Sequence, residues 1–145
     1  MQLLIQSGEL GPTWFHVALR ALVLLSKAEQ GSLLKSQYIA GALGAEPSYV
    51  RKILAALSKA EIVATFGGRD GGYALAKAPG KITVGEVYRV LGSSHSTPFW
   101  SVPSTGTEPF ISLLISKAEQ QFQSFLDDYS IEEVIKQGSL FSQPE

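Results

Sequence analysis

Apolar residues in the first third of the chain recur at helical spacing rather than in alternation. Between Gly11-Pro12 and Gly31, the run Trp14–Leu25 is apolar almost all round. That predicts a helix from a Thr13 cap to about Ala28, with most of its surface buried. A shorter helix is expected over Gln37–Leu43, capped by Ser36 and closed by Gly44. Pro47, suited to the first turn of a helix, opens a third over Pro47–Ala60. Val50, Ile53, Leu54 and Leu57 form its apolar face and leave Ser48, Arg51, Lys52, Ala55 and Lys59 on the other side.

After this helix the period changes. Ile62–Phe66 and Tyr73–Ala76 read as short strands around Gly67-Gly68-Arg69-Asp70-Gly71-Gly72, a hairpin with a glycine-rich tip. Thr83 with Glu86, and Ser130 with Glu133, are capping-box pairs for helices over Val84–Leu91 and Ile131–Gln137. Between those helices, Gly92–Glu108 lacks periodicity and is rich in Ser, Thr and Pro. A long helix then starts at Pro109. Its residues Ile111, Ile115, Ala118, Phe122, Phe125 and Tyr129 are spaced by alternating steps of four and three, a coiled-coil-like seam. The expected fold is mainly α with a small β-hairpin. It divides into a first unit over 1–91, a loop or linker over 92–108 and a helical segment over 109–145.

Composition sharpens this. A chain of 145 residues, 45% hydrophobic and 17% charged, can bury a single core and is not a highly charged disordered tail. Its net charge of −1 argues against nucleic acid, whose binders usually carry a basic footprint. Position reverses that inference. Ten Lys and Arg against six Asp and Glu give residues 1–90 a net +4, whereas two against seven give residues 91–145 a net −5. There is no cysteine, which excludes a disulfide framework, a thiolate nucleophile, cysteine-ligated zinc and an all-cysteine iron–sulfur site. Met1–Ile5 has no basic segment before it, and Arg20 interrupts the most apolar run, Val17–Leu25. A cytoplasmic protein with no membrane partner is expected.

Three helices followed by a glycine-tipped hairpin is the order of a winged helix-turn-helix, whose third helix lies in the DNA major groove. Ser48, Tyr49, Arg51 and Lys52, in the first two turns of that helix, offer donors to phosphates and base edges. Ser36 and Gln37 at the start of the second helix, and Arg69 at the hairpin tip, complete the expected DNA-binding set. Alone, an Arg-Lys pair is more often an ordinary solvated face; the adjoining hairpin shifts the balance. The glycine loop joins two strands and no Lys-Ser/Thr follows it, so it reads as a turn rather than a phosphate cradle. His16 is expected to be a hydrogen-bonded core or interface histidine. His95 is either an exposed loop residue or a metal ligand with Glu108, and the exposed reading is favoured. Phe99 and Trp100 either pack on the winged unit or, with His95, line an effector loop, and packing is favoured. No nucleophile–base pair, paired carboxylates or ligand cluster is visible, so no catalytic residue, metal or cofactor is expected.

Five stretches carry a family resemblance: Ala18-Leu19-Arg20-Ala21-Leu22, Ser48-Tyr49-Val50-Arg51-Lys52-Ile53-Leu54, Lys59-Ala60-Glu61-Ile62-Val63, Gly71-Gly72-Tyr73-Ala74-Leu75-Ala76 and Pro79-Gly80-Lys81-Ile82-Thr83-Val84. In this order and spacing the chain resembles the Rrf2 family of bacterial transcription regulators over residues 13–91, and in pattern beyond. The resemblance implies a homodimer, a repressor, in which two winged domains read a palindromic operator on double-stranded DNA. Ile111, Ile115, Ala118, Phe122, Phe125 and Tyr129 would then serve dimerisation. Two departures stand out. Many members carry an arginine six residues before the wing tyrosine, where this chain has Gly67; whether Arg69 replaces it is left open by the sequence. The iron–sulfur members carry three cysteines in the loop where this chain has Ser93–Pro103. The chain is therefore similar to a cysteine-free branch with no cluster. The alternative is a winged-helix protein-interaction module without specific DNA binding; the small-molecule effector stays open.

Overall fold

The computed structural model of the protein describes residues 13–92 and 106–141. They form α1 (Thr13–Lys27), α2 (Ser36–Leu43), α3 (Pro47–Lys59), β1 (Val63–Phe66), β2 (Gly72–Leu75), a 3-10 turn (Pro79–Lys81), α4 (Val84–Gly92), α5 (Glu108–Asp127) and α6 (Ile131–Phe141). One core joins them. Leu22 of α1, Ile39 of α2, Leu54 and Leu57 of α3, Ile82, Val87 of α4 and Ile131 of α6 are fully buried in it. α1 is less enclosed than its composition predicts. Phe15, Val17, Ala18, Ala21, Leu22 and Leu25 face inward, while Leu19, Val23 and Leu24 are only half covered and Arg20 is exposed. His16 is also exposed, which overturns the core half of its core-or-interface expectation: it falls off the buried stripe between Phe15 and Val17.

Local rules account for most boundaries. Thr83 Oγ1 accepts the Glu86 N–H at 3.0 Å, and Ser130 Oγ accepts the Glu133 N–H at 3.1 Å, so both capping pairs do satisfy open donors at helix starts. Ser36 does not cap α2. Lys35 holds the N-cap position, without a side-chain cap bond, and Ser36 is the first helical residue. The hairpin pairs Val63 with Leu75 and Phe66 with Gly72, one residue earlier on the second strand than expected. Gly72 belongs to the strand by its pairing with Phe66, and a glycine stands there because a Cβ would meet the Leu34 carbonyl oxygen at 2.8 Å. α6 runs through Gly138 to Phe141 rather than stopping at Gln137. Gly138 has no positive φ to turn the chain away.

α2 and α3 end with the same pair of backbone bonds. After α2, Ala45 N–H reaches Ala40 O (2.9 Å) and Gly44 N–H reaches Gly41 O (3.3 Å). After α3, Ile62 N–H reaches Leu57 O (3.0 Å) and Glu61 N–H reaches Ser58 O (3.0 Å). Both closures place one residue in the left-handed region: Gly44 at φ 66° and Glu61 at φ 64°. Glycine adopts that conformation without steric cost, and glutamate does not. Glu61→Gly should therefore stabilise the fold by about 1 kcal/mol and raise the melting temperature by about 2–4 °C. Thermal unfolding followed by circular dichroism measures this; a lowered midpoint would contradict the account of the turn.

Candidate nucleic-acid interface

Burial of Val50, Ile53, Leu54 and Leu57 fixes the rotation of α3. The opposite side, Ser48, Arg51, Lys52, Ala55 and Lys59, is exposed. Among the described residues the ion pairs are Lys77–Glu86 (2.6 Å) and Arg89–Asp127 (2.9 Å). Arg51, Lys52 and Arg69 take part in neither. Tyr49 differs from its neighbours: it is half-buried against the core, and burial pushes its phenol above the ordinary value. At the start of α2, Ser36 is half-buried and Gln37 exposed. Tyr38 beside it is 59% exposed, and Phe66 on β1 is also exposed, two aromatics the sequence pattern did not single out.

The wing is tied to both helices of the helix-turn-helix. Thr65 Oγ1 on β1 lies 2.8 Å from Ser58 Oγ near the end of α3. Leu34, just before α2, exchanges backbone bonds with Tyr73: Leu34 N–H to Tyr73 O at 3.0 Å and Tyr73 N–H to Leu34 O at 2.8 Å. The Lys35 ammonium donates to Arg69 O (2.7 Å) and Gly71 O (3.1 Å), inside the wing turn. Gly68 stands there at φ 90°, and a Cβ on Gly71 would collide with the Phe66 and Gly67 carbonyls. The glycines are thus demanded by the turn, while the Arg69 side chain is exposed at its tip.

α5 has a different character. None of its residues is fully buried. Phe110, Ile111, Leu113, Leu114 and Ile115 are exposed, a broader apolar surface than the seam predicts, and Phe125 is 61% exposed. Ala118 and Tyr129 are exposed as well. The second half of α5 meets the winged unit. Gly85 lets α4 approach so closely that a Cβ would strike the Asp127 carboxylate. Arg89 grips Asp127 with two nitrogens at 2.9 and 3.1 Å. The Tyr88 hydroxyl donates to Glu119 Oε1 at 3.2 Å, and its ring lies 5.0 Å from Phe122 and 5.3 Å from Phe15. Burial, reinforced by the Glu119 charge, holds the Tyr88 phenol above its ordinary value. Val84 N–H bonds Tyr129 O and Ile131 N–H bonds Ile82 O, each at 2.8 Å, so the α5–α6 turn is fastened to the entry of α4.

The family model described as "Rrf2: Iron-dependent Transcriptional regulator" matches residues 12–137. The chain belongs to the Rrf2 family. The HTH-type transcriptional regulator NsrR of Oceanobacillus iheyensis is 30% identical over 131 residues, covering 82% of this chain and 84% of that protein. Among solved structures, IscR of T. potens superposes with a TM-score of 0.72 at 24% identity, covering 95% of this chain and 94% of the other. CymR, the global cysteine regulator of B. subtilis, superposes at 0.64 with 24% identity, over 86% and 94%. The protein is accordingly an Rrf2-type transcriptional regulator with a winged-helix fold, mostly helical around one antiparallel hairpin.

A cysteine-ligated iron–sulfur cluster does not fit this donor set. An all-cysteine cluster needs thiolates, and this Rrf2 chain has no cysteine. Among the described residues no three His, Asp or Glu converge as a metal site. His95, Phe99 and Trp100, the expected effector loop, lie outside the described residues. Among those described, no helix is long and apolar enough to cross a membrane. Sequence reasoning missed Lys35. Its one local signal is a cation at a helix N-cap, where the helix dipole opposes it.

The Arg89 guanidinium, through its hydrogen bonds and its charge, holds the Asp127 carboxyl below the usual carboxylate range; Thr83 assists and partial burial opposes. A lowered folded-state value stabilises the fold above the ordinary carboxylate range and is lost as pH falls through it. Because the two side chains are 45% and 40% exposed, solvent screening limits the pair to about 0.5 kcal/mol. Asp127→Asn should cost about that much at pH 7. The difference from wild type should fade below about pH 4. Urea unfolding at several pH values measures it; a difference that grows in acid would contradict this assignment.

Proposed function

We propose that this Rrf2 protein is a sequence-specific DNA-binding repressor acting as a homodimer on a palindromic operator. The observation that carries the reading is the exposed Arg51–Lys52 pair, turned outward by the buried face of α3 and outside both ion pairs among the described residues. In this reading the N-terminal turns of α3 enter the major groove. Ser48, Arg51 and Lys52 meet base edges and phosphates, and Tyr49, half-buried, contributes at most its hydroxyl edge. Ser36 and Gln37 meet the backbone from α2, and Arg69 grips the flank from the wing.

The net +4 over residues 1–90 supplies the counterion-releasing contacts, while the net −5 beyond keeps the arm off the duplex. The head ends at about residue 91 and the arm starts at about residue 109. The seam Ile111, Ile115, Ala118, Phe122, Phe125 and Tyr129 is the dimer contact. Its support is the exposed apolar surface of α5, of the kind that marks interaction sites. Phe122 serves two sides, since it also touches Tyr88 of its own chain. A head and a dimer arm suffice for repression, because an occupied operator blocks polymerase. Such a protein works in the cytoplasm, where the DNA is. It needs no cofactor, and a small-molecule effector, if used, would act through residues 95–100.

Arg51→Ala and Lys52→Ala should each weaken binding roughly ten-fold to a duplex that the wild-type chain enriches from random DNA. Each should also lower the slope of log affinity against log salt by about one wherever the lost contact was to phosphate. Fluorescence anisotropy across a salt series measures both. Unchanged affinity in both variants would remove α3 from the interface.

A further inference from the structure

Lys35 occupies a position that ordinarily favours Ser, Thr, Asp or Asn, and where a cation opposes the helix dipole. Its ammonium instead crosses to residues 34 and 36 positions later in the chain, bonding the carbonyls of Arg69 at 2.7 Å and Gly71 at 3.1 Å. The backbone beneath it is already joined to the wing through Leu34 and Tyr73. A turn containing Gly67, Gly68 and Gly71 has unusual backbone freedom. Freezing such a turn at the moment of binding would cost affinity, and two charge-assisted bonds from a helix N-terminus freeze it beforehand.

We propose that Lys35 is a positioning residue of the DNA interface, holding the wing turn so that Arg69 meets the duplex together with α3. The inference rests on the DNA-binding reading above and deepens it. It assigns the fixed geometry of the wing to a side chain on a different element. Only the main chain of Arg69 is gripped, which leaves its guanidinium available for the duplex. The competing role for Lys35 is a direct phosphate contact, since an ammonium has three donors and the wing uses two. The two roles differ in how Lys35 and Arg69 combine. A positioning residue acts through Arg69, whereas a direct contact acts beside it.

The test is a double-mutant cycle in the full chain with Lys35→Met, Arg69→Ala and both together, plus Lys35→Arg as the conservative variant. Each is titrated against a duplex that wild type enriches from random DNA, with hydroxyl-radical footprinting and a thermal melt to establish folding. Arg69→Ala should weaken wild type about ten-fold, yet weaken Lys35→Met by less than about two-fold. Lys35→Met should lose protection at the flank of each half-site and keep it in the major groove, and Lys35→Arg should restore most of both. Hydrogen exchange without DNA should quicken at the wing-turn amides of Lys35→Met alone.

Independent, multiplying losses would make Lys35 a direct contact and overturn the proposal. So would an unchanged affinity and flank footprint in folded Lys35→Met. If wild type itself enriches no duplex, the DNA-binding reading fails and takes the role of Lys35 with it. That outcome is distinct from one in which wild type binds and Lys35→Met binds identically.

Discussion

The apolar side chains over which α1, α3, α4 and α6 close determine where everything else in the molecule stands. Leu22, Leu54, Leu57 and Ile131 are fully excluded from water, and each such burial contributes roughly 2 kcal/mol. The Arg89–Asp127 pair, nearly half exposed, contributes a few tenths by comparison. It is therefore the burial of Ile131 that anchors the start of α6 to the winged unit, and the ion pair refines how α5 lies on α4. The same burial turns Val50, Ile53, Leu54 and Leu57 inward. Arg51 and Lys52 face out as a geometric consequence.

From this core a continuous set of contacts runs to the hairpin on one side and to α5 on the other. On one side, Ser58 and Leu34 fasten the wing to the ends of the helix-turn-helix, and Lys35 reaches into the turn. On the other, Tyr88 and Arg89 of α4 engage Glu119, Phe122 and Asp127 of α5. Two of the acidic groups that make the C-terminal segment negative are thus engaged within the chain. The near-neutral total charge conceals this arrangement. It is a cancellation between the basic residues 1–90 and the acidic residues 91–145, not a property of either surface.

Much of this was legible in the sequence because the signals are local. The apolar face of α3, Pro47 at its start, the glycine tip of the hairpin and the two capping pairs each depend on residues close together along the chain. What the sequence hid depends on contacts across the fold. Lys35 belongs with Arg69 and Gly71 only because the chain returns past α2. Position 72 takes a glycine because Leu34 lies against it. Glu61 adopts a glycine's conformation because Ile62 and Val63 must enter the core immediately after α3. His16 is exposed and Tyr49 half-buried, since a single position along a helix decides burial and the pattern defines a face only approximately.

The central claim, a two-fold symmetric reader of specific DNA, is tested most directly by selecting duplexes from a random pool with the full wild-type chain and sequencing what it retains. The account predicts an enriched inverted repeat, its half-sites separated by about one helical turn or a multiple of it. Retention without any enriched symmetric sequence would contradict it and leave a protein that binds DNA without a two-fold site; no retention at all would leave the fold as a winged-helix module that reads something other than DNA.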